Sequence, residues 1–292
     1  MMSRPWLTST LAATAAALLL LVLAACAPRV SPGTAMDTPD AAWKSFRRHY
    51  CSPSKDPAMK VKASLYYSRI KPRKRTNRTL VTLWGDFDGP MRLDVSASVG
   101  TLLAHIREDA SGLLAFYPQE DKAYAHTDPV LGATRLGMPF PFSLNELARV
   151  STGDFSGLAP RTYTTAKRVG ETYVYEVKGK LVTRIILDTL GRPILMHGPT
   201  TITQNGAHSW QLEINRFEDA AANVTPLPGK LTLALDNGEK GILHIKSREL
   251  MVASWPAAST NLTLPDSVEP IRLDKGIYTG ETGELPVIYE DK

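Results

Sequence analysis

Between about residues 59 and 126 apolar and polar side chains alternate with a period of two. Val61, Ala63, Leu65 and Tyr67 take turns with Lys60, Lys62, Ser64 and Ser68. Such alternation places one set of side chains on each face of a strand, so this stretch specifies half-buried sheet and excludes an amphipathic helix. Further strands fall near 79–87, 91–98, 101–108 and 112–117, divided by turn-forming clusters such as Asp86-Phe87-Asp88-Gly89-Pro90 and Ala110-Ser111-Gly112. A second series follows near 171–178, 181–188, 193–197, 207–217, 230–236, 241–247 and 249–255, with the hairpin pairs Asn205-Gly206 and Asn237-Gly238 among them. About twelve short strands without an internal repeat predict one large antiparallel sheet or barrel. The 292 residues are then one sheet domain with appendages rather than two domains.

Two short helices interrupt the pattern. Thr38-Pro39-Asp40 reads as an N-cap, a first-turn proline and an acid at the positive helix end, and Trp43, Phe46 and Tyr50 follow as one aromatic stripe before Pro53. Ser143 and Glu146 have capping-box spacing, with Leu144, Leu147 and Val150 on one face and Gly153 at the exit. Residues 256–292 are punctuated by Pro, Asp and Gly, and are either an extension packed on the domain or a loose tail.

The first 25 residues have Arg4 near the start, the apolar run Leu18 to Ala24, and small residues before a cysteine. That order describes an export signal, with an apolar centre short for a bilayer span. The tetrad Leu23-Ala24-Ala25-Cys26 resembles a bacterial lipobox. The resemblance implies cleavage after Ala25, a diacylglyceryl thioether on Cys26 and an acylated new amine. Ala27 in place of an aspartate resembles the sorting signal for the outer membrane, its periplasmic face. Residues 26–38 are Pro-, Gly- and small-residue-rich, as a lipidated tether requires.

Composition narrows the chemistry. With 43% hydrophobic and 22% charged residues the chain is neither disordered, collagen-like nor polytopic. A net charge of +5 without a basic face does not suit nucleic acid. Two cysteines make no disulfide framework, and once Cys26 is lipidated Cys51 is a lone buried filler. The six histidines show no His-x-x-x-His spacing, and no nucleophile elbow, phosphate loop or dinucleotide turn occurs. Glu120-Asp121 and Glu218-Asp219 sit in turn-like settings and read as solvated loop acids. No enzyme, metal or cofactor is expected. The strongest charge cluster is Lys71, Arg73, Lys74, Arg75 and Arg78, placed where the first hairpin should turn. It is a solvated loop, or a contact for a lipid headgroup or an acidic partner.

Three stretches resemble the outer-membrane lipoprotein receptor family LolB. One is the hairpin Leu93-Asp94-Val95-Ser96-Ala97-Ser98-Val99-Gly100-Thr101-Leu102-Leu103-Ala104-His105-Ile106. Another is Leu136-Gly137-Met138-Pro139-Phe140-Pro141-Phe142, leading into the 144–150 helix and Gly153-Asp154. The third is the hairpin from Lys230 to Ile245. The resemblance spans about 41–255, the domain being 39–255. It implies an incomplete, half-open barrel of about eleven antiparallel strands closed by a helical lid over an apolar cavity. It implies a monomer that takes acylated lipoprotein cargo from a periplasmic LolA-like carrier and releases it into the membrane. Val99 falls where the family carries an exposed apolar tip, usually leucine, that assists membrane insertion. Cavity candidates are Trp43, Phe46, Val61, Ala63, Leu65, Tyr67, Leu93, Val95, Leu102, Ile106, Met138 and Phe140; each could equally be closed core. The surplus after Lys71 and after Trp255 departs from the family and fits a divergent branch. A lipid-anchored structural or interaction subunit of an envelope assembly, keeping the fold without cargo transfer, is the second reading.

Overall fold

The alternation around Val61 becomes a twelve-residue strand, β1 (Ala58–Arg69), in a computed structural model that describes residues 35–70, 73–138, 141–199, 201–203, 206–221 and 224–275. Short turns then build a meander of β2 (Arg75–Asp86), β3 (Met91–Ala97), β4 (Leu102–Asp109), β5 (Gly112–Tyr117) and β6 (Lys122–His126). A second meander holds β7 (Thr165–Val169), β8 (Thr172–Glu176), β9 (Arg184–Asp188), β10 (Pro193–His197), β13 (Trp210–Phe217), β14 (Pro228–Leu235) and β15 (Lys240–Met251). β11 (Thr201–Thr203) and β12 (Gly206–His208) form a separate two-stranded sheet, and β16 (Pro270–Arg272) closes the described chain.

Among the described residues the main sheet has 14 strands, in the order β16-β6-β5-β4-β3-β2-β1-β15-β14-β13-β10-β9-β8-β7. The pairing of β1 with β15 joins the two meanders, and the terminal strands β16 and β7 do not meet. The result is mostly β with short helices, one curled antiparallel sheet that does not close. Curling follows from burial: inward residues of both meanders, among them Val81, Leu93, Ile106, Tyr173, Leu187, Leu212 and Leu243, belong to one core cluster.

The strand count exceeds both the eleven implied by resemblance and the twelve read from alternation. β6 (Lys122–His126) is not among the expected strands, and neither is β7 (Thr165–Val169), which is exposed along nearly its whole length and so has no alternation to display. β16 is the single parallel neighbour among the described pairs and reaches β6 from a distant part of the chain. Conversely, the expected strands at 241–247 and 249–255 are one strand. Lys62 faces Ser247 while Ala63 faces Ile245, so Lys246 is an extra residue whose bulge reverses the alternation midway. The expected strand 207–217 is divided at Ser209, with β12 and β13 in different sheets.

Helix α1 (Pro39–Tyr50) begins as expected, the Ala41 amide donating to Thr38 Oγ1 at 3.2 Å, and buries Ala42, Trp43, Phe46 and Tyr50. It packs against β7 and β9. The Tyr173 and Tyr175 hydroxyls, carried in on β8, donate to the carbonyls of Met36 and Pro39, each at 2.6 Å. Ordered packing therefore starts by Met36, inside the stretch expected to be tether. Helix α2 (Pro129–Arg135) carries no long apolar stripe and escaped the sequence reading. Helix α3 (Leu144–Ser151) has the expected capping box and packs on β1, β2 and β3.

Beyond 255 the chain straps the outer face. Trp255 N donates to Asp86 Oδ1 (2.9 Å), Arg107 Nε to the Thr260 carbonyl (3.1 Å) and Trp84 Nε1 to the Ser259 carbonyl (3.3 Å), holding the single turn α4 (Ala257–Thr260). Nearly all described residues belong to one unit; Asp219–Val224 falls outside it, and there the Val224 amide donates to the Ala221 carbonyl.

Glu108 supplies a second cap to α3. Its carboxylate accepts from the Leu144 amide at 2.7 Å and the Asn145 amide at 3.3 Å. Burial outweighs these bonds and raises its pKa above the ordinary 4.5. The folded protein then holds this proton more tightly than the unfolded chain, so stability falls as pH rises from about 4.5 through the folded pKa. Glu108→Gln is expected to flatten that decline in urea-unfolding free energies measured from pH 4 to 7; an unchanged slope would mean that another group carries it.

Candidate functional site

No register shift interrupts the pairing of β1 with β2, so Ala63, Leu65 and Tyr67 share a face with Val81, Thr79 and Asn77, their direct partners. That face continues through Leu243 on β15, Leu93 and Val95 on β3, Ala104 and Ile106 on β4, and Tyr117 on β5. Gly137 and Met138, from the connection between α2 and α3, meet it from the side. Apart from Ala63, these residues line a groove with a cavity of about 70 Å³. The lining is almost wholly apolar. An apolar concavity of this kind favours hydrocarbon over water.

Of the cavity candidates, Leu65, Tyr67, Leu93, Val95, Ile106 and Met138 are brought together here. Val61 and Ala63 are buried in the closed core below it. Trp43 and Phe46 lie over the other half of the sheet: the Trp43 ring sits 4.9 Å from Tyr175 and 5.2 Å from Tyr163. An apolar helix stripe does not say which strands it will cover. Leu102 belongs to the opposite face. Val95 pairs with Ala104 but Ser96 pairs with Leu102, so Leu103 is a bulge residue and the parity running back from Ile106 fails at that point. Phe140, Lys71 and Cys26 lie outside the described residues.

Val81, Thr79 and Asn77 were missed because β2 reads polar along its first half, so its inward parity shows only once β1 supplies the register. Leu243 lies in a hairpin the sequence does show, but its position opposite Leu65 comes from the long-range β1–β15 pairing. Ala104 and Tyr117 gave no separate signal.

Polar groups gather toward the β1–β2 turn. The Tyr67 hydroxyl donates to Glu239 Oε2 at 2.7 Å; burial first and this carboxylate second hold the phenol well above its ordinary pKa, so it stays neutral. At the same end the β3–β4 turn lifts Val99 to 89% exposure. Gly100 follows with φ +91°, a conformation that glycine enters without strain, and its amide donates to the Ala97 carbonyl at 2.9 Å. Ser98 Oγ donates to the Arg78 carbonyl at 3.2 Å, tying this tip to β2.

The basic cluster is not confined to the turn. Arg73 and Lys74 are exposed loop residues, whereas Arg75 and Arg78 lie on β2, opposite Arg69 and Tyr66. The Arg78 guanidinium stacks over the Tyr66 ring at 5.6 Å on the outer face. Among the described residues no group of three or more His, Cys, Asp or Glu side chains is placed to hold a metal ion, and no helix is long and apolar enough to cross a membrane.

No protein-family model matches the chain, and no curated protein matches it in sequence. Its fold is similar to that of a LolA superfamily protein from Nitrosomonas europaea, with a TM-score of 0.51 at 11% identity over 77% of this chain and 98% of the other. A putative outer membrane lipoprotein-sorting protein domain from Vibrio parahaemolyticus aligns over 75% of this chain and 94% of its own, at 10% identity and a TM-score of 0.45. The first likeness shows the LolA-like fold and nothing finer.

Proposed function

We propose that this chain is a lipid-anchored member of the LolB branch of that fold, which takes acylated lipoproteins from a LolA-like periplasmic carrier, shelters their acyl chains in the groove and releases them into the outer membrane. One observation carries the reading: the partly exposed lining residues of the apolar groove, Leu65, Tyr67 and Asn77, lie toward the end of the sheet that also bears the exposed Val99 tip and the basic β1–β2 hairpin. An acyl chain leaving water gains about 0.8 kcal/mol per buried CH₂, so even partial sheltering lowers the barrier to crossing the periplasm. Handover then needs only a gradient of affinities from carrier to groove to bilayer, without bond cleavage.

In this reading the Cys26 lipids hold the body at the membrane, and residues 26–35 span the gap. The Gly137–Met138 connection serves as the movable cover, because Met138 is unbranched and adapts to irregular cargo. Arg73, Lys74 and Arg78 rest against phosphate headgroups, each adding about 1 kcal/mol near an anionic surface. Lys71 would add to them.

The decisive experiment uses the Cys26→Ala chain. It should strip a radiolabelled lipoprotein from its carrier and deliver it to liposomes; a folded protein that binds no acylated cargo would leave the structural-subunit reading instead. Val99→Glu is expected to leave cargo binding unchanged while slowing delivery about tenfold, since a charged tip resists insertion into the headgroup region. Equal delivery rates would remove the tip from the mechanism.

A further inference from the structure

Two polar side chains interrupt the apolar wall of the groove. Thr79 and Asn77 stand on β2 directly opposite Leu65 and Tyr67, two residues apart, so both project from the face that Val81 continues. Thr79 is only 4% exposed, yet its hydroxyl is not one of the side-chain oxygens sealed away without a partner, so it opens on the groove. Among the described residues neither the Thr79 nor the Asn77 side chain has a hydrogen-bond partner. Polar neighbours on the same two strands are paired: the Tyr67 hydroxyl donates to Glu239 Oε2, and the Ser68 and Thr76 hydroxyls meet at 2.7 Å on the outer face. A hydroxyl and an amide without partners in an apolar wall cost stability, and valine and leucine would suit a half-buried strand better. Packing gives no reason for these two residue types at these two positions, whereas a ligand with hydrogen-bond acceptors does. Along β2 the order is Val81, Thr79, Asn77, hydrocarbon first and donors after it toward the β1–β2 turn.

We propose that Thr79 and Asn77 read the neutral carbonyl group that joins an acyl chain to the rest of its molecule. The chain lies against Leu65, Val81 and Val95, while the Thr79 hydroxyl and the Asn77 side-chain amide donate to the carbonyl oxygens of the linkage. An ether-linked chain or a plain hydrocarbon leaves both donors unpaired, and a site built to hydrogen-bond a group discriminates against the analogue that lacks it. The inference rests on the acyl-binding reading of the same groove and narrows its ligand from any apolar chain to an acyl ester or amide. The esters of a diacylglyceryl group and the amide of an acylated amine share that chemistry.

The full chain, reconstituted in nanodiscs of diether phosphatidylcholine so that the bulk lipid offers no carbonyl, is irradiated with three uncharged probes. They carry the same two diazirine-bearing chains on a three-carbon backbone through ester, amide or ether linkages. Adducts are mapped by peptide mass spectrometry. The ester or the amide probe should label groove residues about tenfold more than the ether probe, and the stronger of the two identifies the linkage. Asn77→Leu with Thr79→Val should bring that probe down to the ether level and leave ether labelling unchanged, while Thr79→Ser, which keeps the hydroxyl, should retain most of the preference. The urea midpoint of the double variant should be no lower than that of the parent chain, because its new side chains match the wall around them. A lower midpoint gives the two polar groups a role in the fold and overturns the assignment, as does a preference that survives the double substitution. Equal labelling of the wild-type groove by all three probes also overturns it and leaves the acyl groove standing. No groove labelling by any probe overturns both.

Discussion

Ala104→Phe is expected to weaken acyl binding about tenfold or more, which corresponds to about 1.4 kcal/mol, while lowering stability by less than about 1 kcal/mol. Ala104 lies on β4 opposite Val95 and lines the groove beside Ile106. Its methyl group is all but buried, so the added ring has one direction to grow, into the space the cargo would occupy. In a closed core the same insertion forces neighbours off their rotamers and costs about 1–3 kcal/mol. Displacement of a fluorescent fatty-acyl probe and urea unfolding, measured on one preparation, separate the two cases. A groove gives large loss of binding at nearly full stability. A well-packed interior gives the reverse, and that result would sink the carrier reading.

Phe46→Ala is expected to cost about 3–5 kcal/mol of unfolding free energy. The ring is fully buried, 5.4 Å from the Trp43 ring and 6.5 Å from that of Tyr50, so its removal leaves a void beneath α1 that two bulky aromatic neighbours cannot collapse into. Because α1 covers β7 and β9 rather than the groove, acyl binding per folded molecule should be unchanged. A loss below about 1 kcal/mol in urea unfolding would show that α1 is only loosely seated. Loss of binding in the folded variant would return Phe46 to the cavity.

The two halves of the sheet differed in how much of them sequence could reveal. Strands β1 to β4 were visible because each has one more buried face and is joined to the next by a short turn, so parity and punctuation agree, and β5, buried on both faces, was visible as an apolar run between turns. β7 was hidden by its exposure, since a strand buried on neither face has no reason to alternate, and Lys167 and Arg168 there read as loop. The site was legible to the extent that it depends on local parity: Leu65, Tyr67, Leu93 and Val95 follow from their own strands. It ceased to be legible at each bulge. Leu103 turned Leu102 away from the groove, and Lys246 split β15 into two apparent strands. A bulge leaves no composition signature here, as both residues look like ordinary strand members. The placement of Trp43 and Phe46 failed for another reason: what a helix covers is decided by tertiary packing alone.

The pairing of β1 with β15 also fixes an order of assembly. β1 acquires β2 within one hairpin, but its other neighbour is made only when residues 240–251 exist. Contacts between such distant parts of a chain close a very large loop and form slowly. Until then the first meander exposes a long unpaired edge along β1, open to association with other chains. The groove has no Leu243 wall during that interval. Covering the β1 edge and completing the groove wall are thereby tied to one late event, and a product truncated before residue 240 would lack both and be prone to aggregate.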